Sequence, residues 1–426
     1  MTIGALENNK ARQEPGEFSP RSWQGPAGLG LILEVQISSS NYSDVPTPYC
    51  KHLIVEQKYY KMKNEISPFS DMKSLYKVIR KAARVCGADV FVPSYRINII
   101  TVFMWLSIAT FFIFAFYTIC IKFHEDWKII FETLCLAGGA LQGTAKFFTV
   151  FMKQKQIRQL KDKIYEVYEY YETNNVNFRM ILQESMKRIK YTIIFNNVAW
   201  LVAGIYAVCI PVYYKIFKNE QILLIQFLIP KIDPSTDFGY AALYAIQSTC
   251  IFFGLFGNMA GDTYFILNVL IILDKKVKNI VFRDIIKWTQ ETFDFSEQFI
   301  SITFVMVSME VFFCGVSAIF SVYIIMTGNW PAAYPYFVLN FIALYIYCFL
   351  GTAVDNAADK CIDIIYDMEW YNLDLKSRKM ILLVLMKAQK KTAFTVGGVA
   401  PLSVNTALQV TKTIYSFFMM LMNFVE

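Results

Sequence analysis

Seven stretches of this chain are apolar and long enough to cross a lipid bilayer, and no other feature constrains the fold as strongly. A hydrocarbon core of about 30 Å requires roughly 20 apolar residues in helical form. Because lipid offers no hydrogen-bond partners, each such stretch has to satisfy its own backbone as a helix. The stretches are 97–121, 130–151, 191–216, 240–273, 299–326, 334–354 and 402–424.

The composition is also typical of an integral membrane protein. Charged residues make up 18% of the 426 residues, against about 25% in soluble domains. The nine cysteines are scattered, mostly within apolar stretches, which is typical of buried thiols. The chain has two histidines and no HExxH, GxSxG or phosphate-loop motif. We therefore expect no enzymatic activity, no cofactor and no metal site.

Lysine and arginine residues are distributed unevenly between the two sides of these stretches. The segments 72–96, 152–190, 274–298 and 355–401 together carry 27 of them, and the segments that alternate with these carry five. Cytoplasmic loops are the ones enriched in Lys and Arg. We therefore predict an all-α membrane protein with seven transmembrane helices, a cytoplasmic amino terminus and an extracellular carboxyl terminus. G-protein-coupled receptors have the opposite orientation.

The last apolar stretch carries a stripe of polar residues along one side. Its members are spaced 4, 3, 4 and 7 residues apart, which places them within about 60° of the helix circumference. They are Asn405, Gln409, Lys412, Ser416 and Asn423. Polar side chains within a membrane need either protein partners or water. The stripe therefore predicts either contact with a neighbouring helix or a face that lines a water-filled path.

Other charged residues fall inside apolar stretches and need an explanation. Glu310 lies deepest in its stretch and requires a partner, for which Lys412 is a candidate. Lys146 lies near the end of the second stretch, where its long side chain is able to reach the membrane surface.

The carboxyl-terminal part of the chain contains a series of short motifs in a fixed order. They are Tyr347-Cys348 with Gly351, Trp370-Tyr371, Arg378-Lys379, Lys387-Ala388-Gln389 and Tyr415-Ser416-Phe417-Phe418. The segment GADVFVPSYR at 87–96 precedes the first stretch. With these motifs and seven spans, residues 72–426 resemble the insect odorant receptors. The chain lacks the long insertion between spans four and five that marks the co-receptor of that family, so it resembles a tuning subunit.

The resemblance implies a ligand-gated, nonselective cation channel in the plasma membrane of olfactory dendrites. The expected partners are a co-receptor subunit in a heterotetramer, a small hydrophobic volatile ligand and the lipid bilayer, with no nucleic acid. Residues 1–71 are predicted to be a flexible extension, which departs from the short amino terminus of the family. By resemblance the other regions are a six-helix bundle with the odorant pocket and long cytoplasmic connections (72–354), cytoplasmic anchor helices (355–401) and a pore-lining helix (402–426). The polar stripe would line the pore, and Met420 and Phe424 match the positions of a hydrophobic gate.

We expect the odorant pocket in the outer halves of spans two to six, where aromatic and small residues recur at helical spacing. The predicted lining residues are Phe131, Leu134, Trp200, Gly204, Ala207, Val208, Tyr240, Tyr244, Gln247, Ile251, Phe337, Asn340 and Phe341. Tyr244, Gln247 and Asn340 offer hydrogen bonds to an alcohol, ester or carbonyl. Packing in the core or an interfacial belt explains the same aromatic spacing equally simply.

Two other kinds of membrane protein are alternatives to this interpretation. A gustatory receptor of the same superfamily would share the topology and the channel architecture, but it would conduct ions without the co-receptor. A secondary transporter would favour internal repeats and paired broken helices, and the chain has no evident repetition.

Overall fold

Helices form most of the backbone in a computed structural model of the chain. The structure describes residues 67–425 apart from 93–94, 124–126, 175, 226, 228, 231, 233–235, 278–281, 328–329, 368–369, 373 and 391–392. Some side chains inside helical segments are also outside the described set, namely those at 171–181, 274–290, 372, 421 and 424–425. Most of the predicted extension at 1–71 therefore lies outside the described residues. Residues 65–426 form one compact unit.

The described helices are α1 (Pro68–Val85), α2 (Ile99–Lys122), α3 (Trp127–Met152), α4 (Gln154–Asn174), α5 (Val176–Tyr213), α6 (Asp237–Val277), α7 (Phe282–Thr327), α8 (Ala333–Asp367), α9 (Leu375–Gln389) and α10 (Val404–Val425). A π-helical turn at Tyr214–Lys218 follows α5, and a 3-10 turn at Trp370–Asn372 follows α8. The strands β1 (Thr395–Val396) and β2 (Ala400–Pro401) form a small antiparallel hairpin before α10.

Six helices in the described part of the chain are long and apolar enough to cross a membrane: α2, α3, α5, α6, α7 and α8. They coincide with the first six predicted stretches, so the helical membrane fold is confirmed. The seventh stretch forms α10. The mean hydropathy of this helix is lowered by Asn405, Gln409 and Lys412, so α10 is not among the six candidate membrane helices. The seventh span therefore stays a prediction.

Several helices extend beyond the apolar stretches that predicted them. Helix α5 begins at Val176 and α8 continues to Asp367. The predicted boundary between the bundle and the anchor helices, at residue 354, falls inside the continuous helix α8. Hydropathy marks the apolar part of a helix only, so it gives no signal for these amphipathic continuations.

The segment before the first span folds into the amphipathic helix α1. Ser67 caps it by accepting a hydrogen bond from the Ser70 amide, and Pro68 occupies the first turn. Apolar side chains at helical spacing form one face of α1. This face lies in the core, and α1 packs against α4, α5 and α6. These buried residues are Met72, Leu75, Tyr76 and Ile79.

Helices α3 and α7 pack closely along their length. Gly138 faces Ser317, and the Ser317 hydroxyl donates to the Cys135 carbonyl at 3.1 Å. Small residues at such contacts allow two helix backbones to approach each other in a membrane. Helices α2, α6 and α8 also pack against this pair.

A tight junction joins α8 to the start of α10. The Val404 amide donates to Thr352 Oγ1 at 2.9 Å, and Leu402 is fully buried. Gly351 on α8 lies so close to Leu402 that a β-carbon at position 351 would collide with the Leu402 carbonyl oxygen. A side chain at position 351 is therefore incompatible with this junction.

We expect Gly351→Ala to destabilise the protein by about 1–3 kcal/mol, because the added methyl group has to displace backbone atoms of Leu402. The control is Gly254→Ala on α6, where a β-carbon would meet nothing within 4 Å. That change should be neutral or slightly stabilising, since alanine favours the helix. Thermal unfolding of the detergent-solubilised full chain measures both effects. Equal unfolding midpoints for the two variants would contradict the described junction.

Candidate ligand-binding site

A cavity of about 300 Å³ lies inside the helical bundle. Each of the helices α1 to α8 contributes to its wall, and most of the wall residues are apolar. No residue in the described part of α10 belongs to the wall. The volume is at the lower end of the range of about 300–1,000 Å³ that small-molecule sites occupy. The cavity therefore fits a small apolar molecule.

Several small residues line this cavity where helices face each other. Gly139 and Gly143 on α3, Gly204 and Ala207 on α5, and Gly257 on α6 all belong to the wall. At Gly139 and Gly204 a β-carbon would collide with the side chains of Tyr336 and Leu255, so these glycines allow close contact between helices at the wall. The wall thus depends on the same small residues that favour close helix packing in membranes.

The connection between α5 and α6 contributes buried residues to the wall. Leu224 and Ile225 are buried, and both line the cavity. Gln247 on α6 holds this connection with both ends of its amide: Oε1 accepts from the Ile225 amide at 3.1 Å, and Nε2 donates to the Ile225 carbonyl at 2.7 Å. Gln247 is fully buried. Its polar atoms are therefore used by the protein backbone.

Five of the thirteen predicted pocket residues line this cavity: Trp200, Gly204, Ala207, Ile251 and Asn340. The other eight are not among its wall residues: Phe131, Leu134, Val208, Tyr240, Tyr244, Gln247, Phe337 and Phe341. Contact of any of the thirteen with a ligand stays a prediction. The five wall residues come from α5, α6 and α8, so these three helices of the predicted pocket do meet at one space.

Most of the eight residues outside the wall take part in packing nearby. Phe131 packs against two aromatic rings of α7. The Tyr244 hydroxyl donates to the Val208 carbonyl at 2.9 Å. The rings of Phe337 and Phe341 lie 5.7 Å apart along α8. Core packing and ligand contact produce the same helical spacing of aromatic residues, so the sequence does not separate them.

A buried ion cluster, Lys146 with Asp262 and Glu310, stands beside the cavity, and Lys146 and Glu310 form part of its wall. Lys146 Nζ lies 2.6 Å from Asp262 Oδ1 and 2.9 Å from Glu310 Oε2, and it donates to Asn258 Oδ1 at 3.1 Å. The three charged side chains are at most 3% exposed. Charges at such depth persist when they are paired. Lys146 therefore allows α6 and α7 to carry carboxylates inside apolar segments.

Further hydrogen bonds extend the ion cluster to two more helices. Trp200 Nε1 on α5 donates to Asp262 Oδ2 at 3.0 Å, and the Tyr347 hydroxyl on α8 donates to Asp262 Oδ1 at 2.7 Å. Tyr347 also stacks on Phe265, with ring centroids 4.4 Å apart. The cluster thus connects α3, α5, α6, α7 and α8.

The ion cluster corrects two sequence-based interpretations. Lys146 does not reach the membrane surface, because the two carboxylates hold its ammonium group inside the bundle. The partner of Glu310 is Lys146, while the candidate Lys412 is exposed. A signal for this pairing was present, since Lys146, Asp262 and Glu310 are all ionisable residues within apolar stretches, and such residues usually pair with one another.

The polar stripe of α10 is exposed along its whole length in this subunit. Its residues Asn405, Gln409, Lys412, Ser416 and Asn423 are all exposed. The buried side of α10 carries Ala407 and Ile414. No described residue forms a hydrogen bond with a side chain of the stripe, so contact with another helix of the same chain does not explain it. Met420 is 44% exposed, and the Phe424 side chain lies outside the described set.

Comparison with known proteins identifies the family of this chain. The sequence profile of the family described as 7tm Odorant receptor matches residues 126–273 and 274–415, which is more than half of the chain. The chain belongs to the odorant receptor family. This is a family of receptors and channels, and the match favours the odorant branch over the gustatory alternative.

Individual relatives agree with this membership. The chain is 24% identical over 396 residues to odorant receptor 83c of Drosophila melanogaster. This alignment covers 85% of the present chain and all of that receptor. Odorant receptor 22c of the same organism is 31% identical over 90 residues, which is 21% of this chain and 22% of that protein.

Two solved structures share the fold. The structure of the insect olfactory receptor OR5 from Machilis hrabei in complex with eugenol aligns with a TM-score of 0.67 at 14% identity, over 83% of this chain and 99% of that chain. The structure of OR5 without a named ligand aligns with a TM-score of 0.66 at the same identity, over 83% of this chain and 98% of that chain. At this identity the similarity concerns the fold alone.

We expect Lys146→Met to destabilise the protein by about 3–5 kcal/mol, because two buried carboxylates lose the cation that they share. The control is Lys155→Met, since Lys155 is an exposed lysine on α4. This change should leave the stability nearly unaltered. The thermal unfolding midpoint of the full chain in detergent measures the difference.

A triple variant separates charge pairing from side-chain packing at this site. Lys146→Met combined with Asp262→Asn and Glu310→Gln leaves no charge in the ion cluster, so it should recover much of the stability that the single change removes. A triple variant that unfolds as readily as Lys146→Met alone would show that charge pairing is not what the cluster supplies.

Proposed function

We propose that this chain is the odorant-binding tuning subunit of a ligand-gated, nonselective cation channel that it forms with a co-receptor. In this proposal the helices α2, α3, α5, α6, α7, α8 and α10 cross the plasma membrane of olfactory sensory neurons, in their dendrites. The amino terminus is cytoplasmic and the carboxyl terminus is extracellular. A small hydrophobic volatile molecule binds in the cavity, and α10 lines the ion path of a heterotetramer.

The exposed polar face of α10 is the observation that carries this proposal. Contact between Lys412 and lipid would be costly, about 2.5–3.5 kcal/mol for a lysine at the centre of a membrane helix. The described residues of the same subunit leave this face uncovered. Neighbouring subunits and water therefore have to cover it. A water-filled pore shared by several α10 helices supplies both.

The end of α10 has the composition that a gate requires. Met420 follows Ser416 by four residues, so it lies beside the polar stripe, and it is 44% exposed. A ring of such apolar side chains around the pore axis would exclude ions by removing water from the path. We assign the gate to Met420 together with Phe424.

Helix α9 has an apolar face that suits contact between subunits. Asp374 caps its first turn, and hydrogen bonding to Ser377 lowers the pKa of Asp374. Val384 is buried against the rest of the subunit, whereas Leu383 and Met386 are 65% and 68% exposed. Apolar side chains grouped on an exposed face mark an interaction surface. We therefore assign α9 and the end of α8 to the anchor between subunits.

Two helices of the cavity wall also touch α10. Helix α7 carries Glu310 at the cavity and Gly315 beside Val410 of α10. Helix α8 also borders the cavity, and its Tyr345 hydroxyl lies 3.1 Å from Thr411 Oγ1 of α10. A ligand that displaces α7 or α8 would act on α10 through these contacts. This arrangement supports control of the pore by the cavity.

Current recording in the presence and absence of a co-receptor tests the proposed function. Cells that express the full chain with a co-receptor should respond to members of a panel of volatile compounds with a cation current. Cells that express this chain alone should not respond. Current from this chain alone would contradict the need for a co-receptor and favour a gustatory-type channel.

The same recordings can test whether the cavity is the agonist site. Ala207→Leu places a larger side chain on the cavity wall, so it should raise the agonist concentration for half-maximal current by about tenfold. The matched control is Val208→Leu, at the next residue, which is not part of the wall. Equal potency for the two variants would place the agonist elsewhere.

A further inference from the structure

Helix α1 presents a row of positively charged side chains on its exposed side. These residues recur at intervals of four, four and three, which places them within about 80° of the helix circumference. They are Lys73, Lys77, Lys81 and Arg84, and all four are exposed. The apolar side of the same helix is buried in the core. We call these four residues the basic face of α1.

The basic face carries a surplus of positive charge. Asp89 lies 3.3 Å from Arg84 and offsets part of that charge. Asp71, the one acidic residue within α1, pairs with a lysine of α5. Lys77 and Lys81 form no ion pair or hydrogen bond with any residue that the structure describes. The basic face therefore suits an anionic partner.

The general enrichment of cytoplasmic segments in Lys and Arg does not require a face of one sign. Helix α4 lies on the same side of the predicted topology, and it has four basic and four acidic residues. Helix α1 has five basic residues and one acidic residue. The charge of the basic face is thus a property of α1 beyond what its side of the membrane explains.

The basic face ends where the first predicted span begins. The Gly87 carbonyl, two residues beyond α1, accepts a hydrogen bond at 2.6 Å from Thr101 Oγ1 in the first turn of α2. Arg84 and Lys81 lie about 4.5 and 9 Å from Gly87 along the helix axis, if the helical rise is extended to Gly87. A headgroup layer of the bilayer is about 5–8 Å thick. These two cations therefore lie at the level of the headgroups.

Contacts with α6 show in which direction α1 leads away from this boundary. Cys86 Sγ donates to the Phe253 carbonyl at 3.4 Å, and the Tyr76 hydroxyl donates to Asn268 Oδ1 at 3.4 Å. From Cys86 back to Tyr76, α1 therefore runs beside α6 toward the end of α6 that the proposed topology places in the cytoplasm. The rest of the basic face follows the same course.

Uncovered apolar side chains lie at the entry to α2, next to the end of the basic face. Ile97 and Ile99 are 69% and 88% exposed. Cations beside exposed apolar side chains match a molecule that has an anionic headgroup and hydrocarbon chains.

We propose that the basic face of α1 binds anionic phospholipids of the cytoplasmic leaflet. The anionic headgroup lies against Lys77, Lys81 and Arg84, and the acyl chains cover Ile97 and Ile99. Each lysine or arginine close to an anionic bilayer surface strengthens such binding several-fold. The inference rests on the proposed function in placing α1 on the cytoplasmic side of the membrane.

Other anionic partners match the basic face less well. Proteins that bind a basic amphipathic helix take its apolar face into a groove, and the apolar face of α1 is buried. A small soluble anion would pair with the cations but leave Ile97 and Ile99 uncovered. An anionic lipid covers both kinds of side chain.

The opposite side of α1 takes part in the cavity. Ile79 and Ala83 belong to the cavity wall. A lipid bound at the basic face therefore stabilises a helix that forms part of that wall.

Native mass spectrometry of the purified full chain counts the lipids that it retains and tests this inference. The probes are dioleoylphosphatidylserine and dioleoylphosphatidylcholine, which have the same acyl chains and differ in the net charge of the headgroup. We expect the unmodified chain to bind the first phosphatidylserine molecule about tenfold more tightly than phosphatidylcholine. The preference should weaken as the concentration of ammonium acetate rises, because salt screens exposed charges.

A double variant locates the lipid at the basic face. Lys77→Gln with Lys81→Gln removes two exposed charges that pair with nothing in the described chain, so the fold should be retained. It should abolish most of the preference for phosphatidylserine. The matched control is Lys155→Gln with Lys163→Gln, which removes two exposed lysines of α4 and should keep the preference. Thermal unfolding midpoints confirm that both variants are folded.

Equal affinity of the unmodified chain for the two lipids would overturn the inference. An equal loss of preference in the two double variants would also overturn it, because the total charge would then be sufficient. Glycerophosphoserine, the headgroup without acyl chains, should not displace phosphatidylserine at an equal concentration. Displacement would assign the basic face to a soluble anion and contradict the proposal.

The outcome is separable from that of the proposed function. A chain that selects phosphatidylserine through the basic face but supports no current would refute the channel and leave this inference intact. A chain that supports agonist-evoked current but shows no lipid preference would refute this inference alone.

Discussion

A single lysine between two carboxylates is the interaction on which the interior of this protein depends. Removal of three charges from water costs several kcal/mol for each ion, and close pairing has to offset that cost. Lys146 meets this requirement with contacts of 2.6 Å to Asp262 and 2.9 Å to Glu310. A small shift of α3, α6 or α7 would break one of these contacts, so the cluster fixes the register of all three helices. Because Lys146 and Glu310 also border the cavity, the interaction that positions the helices also places charged groups on the cavity wall.

The cavity and the polar face of α10 are two separate places in the same chain. The cavity is lined by residues of α1 to α8, whereas the polar stripe of α10 is exposed. Helices α7 and α8 belong to both environments, since they border the cavity and contact α10. In the function that we propose, recognition belongs to a single subunit and conduction belongs to an assembly of subunits.

The sequence predicts the membrane helices well, because a bilayer-length apolar stretch has to be helical. It misses the amphipathic start of α5, where hydropathy gives no signal. It predicts anchor helices after residue 354 but not that the first of them continues α8. In the cavity, Gly204 and Ala207 follow from the sequence because small residues recur on one helix face. The role of Gln247 does not follow from the sequence. Its amide binds the backbone of Ile225, and the sequence does not distinguish such a residue from a polar residue that binds a ligand. For Glu310, the ionisable residues within apolar stretches indicate a buried partner. Which of them is the partner depends on which helices are neighbours, and a single sequence does not contain that information.

Accessibility of single cysteines along α10 tests the central claim most directly. Cysteines replace Gln409, Lys412 or Ser416 of the stripe, or Tyr415 and Phe417, which are exposed residues on other sides of the helix. The variants are expressed with a co-receptor and treated with a water-soluble thiol reagent during agonist-evoked current, with the unmodified chain as the baseline. We predict a change of current at the three stripe positions and none at Tyr415 or Phe417. Reaction at all five positions alike, or at the two control positions only, would contradict a pore lined by this face of α10.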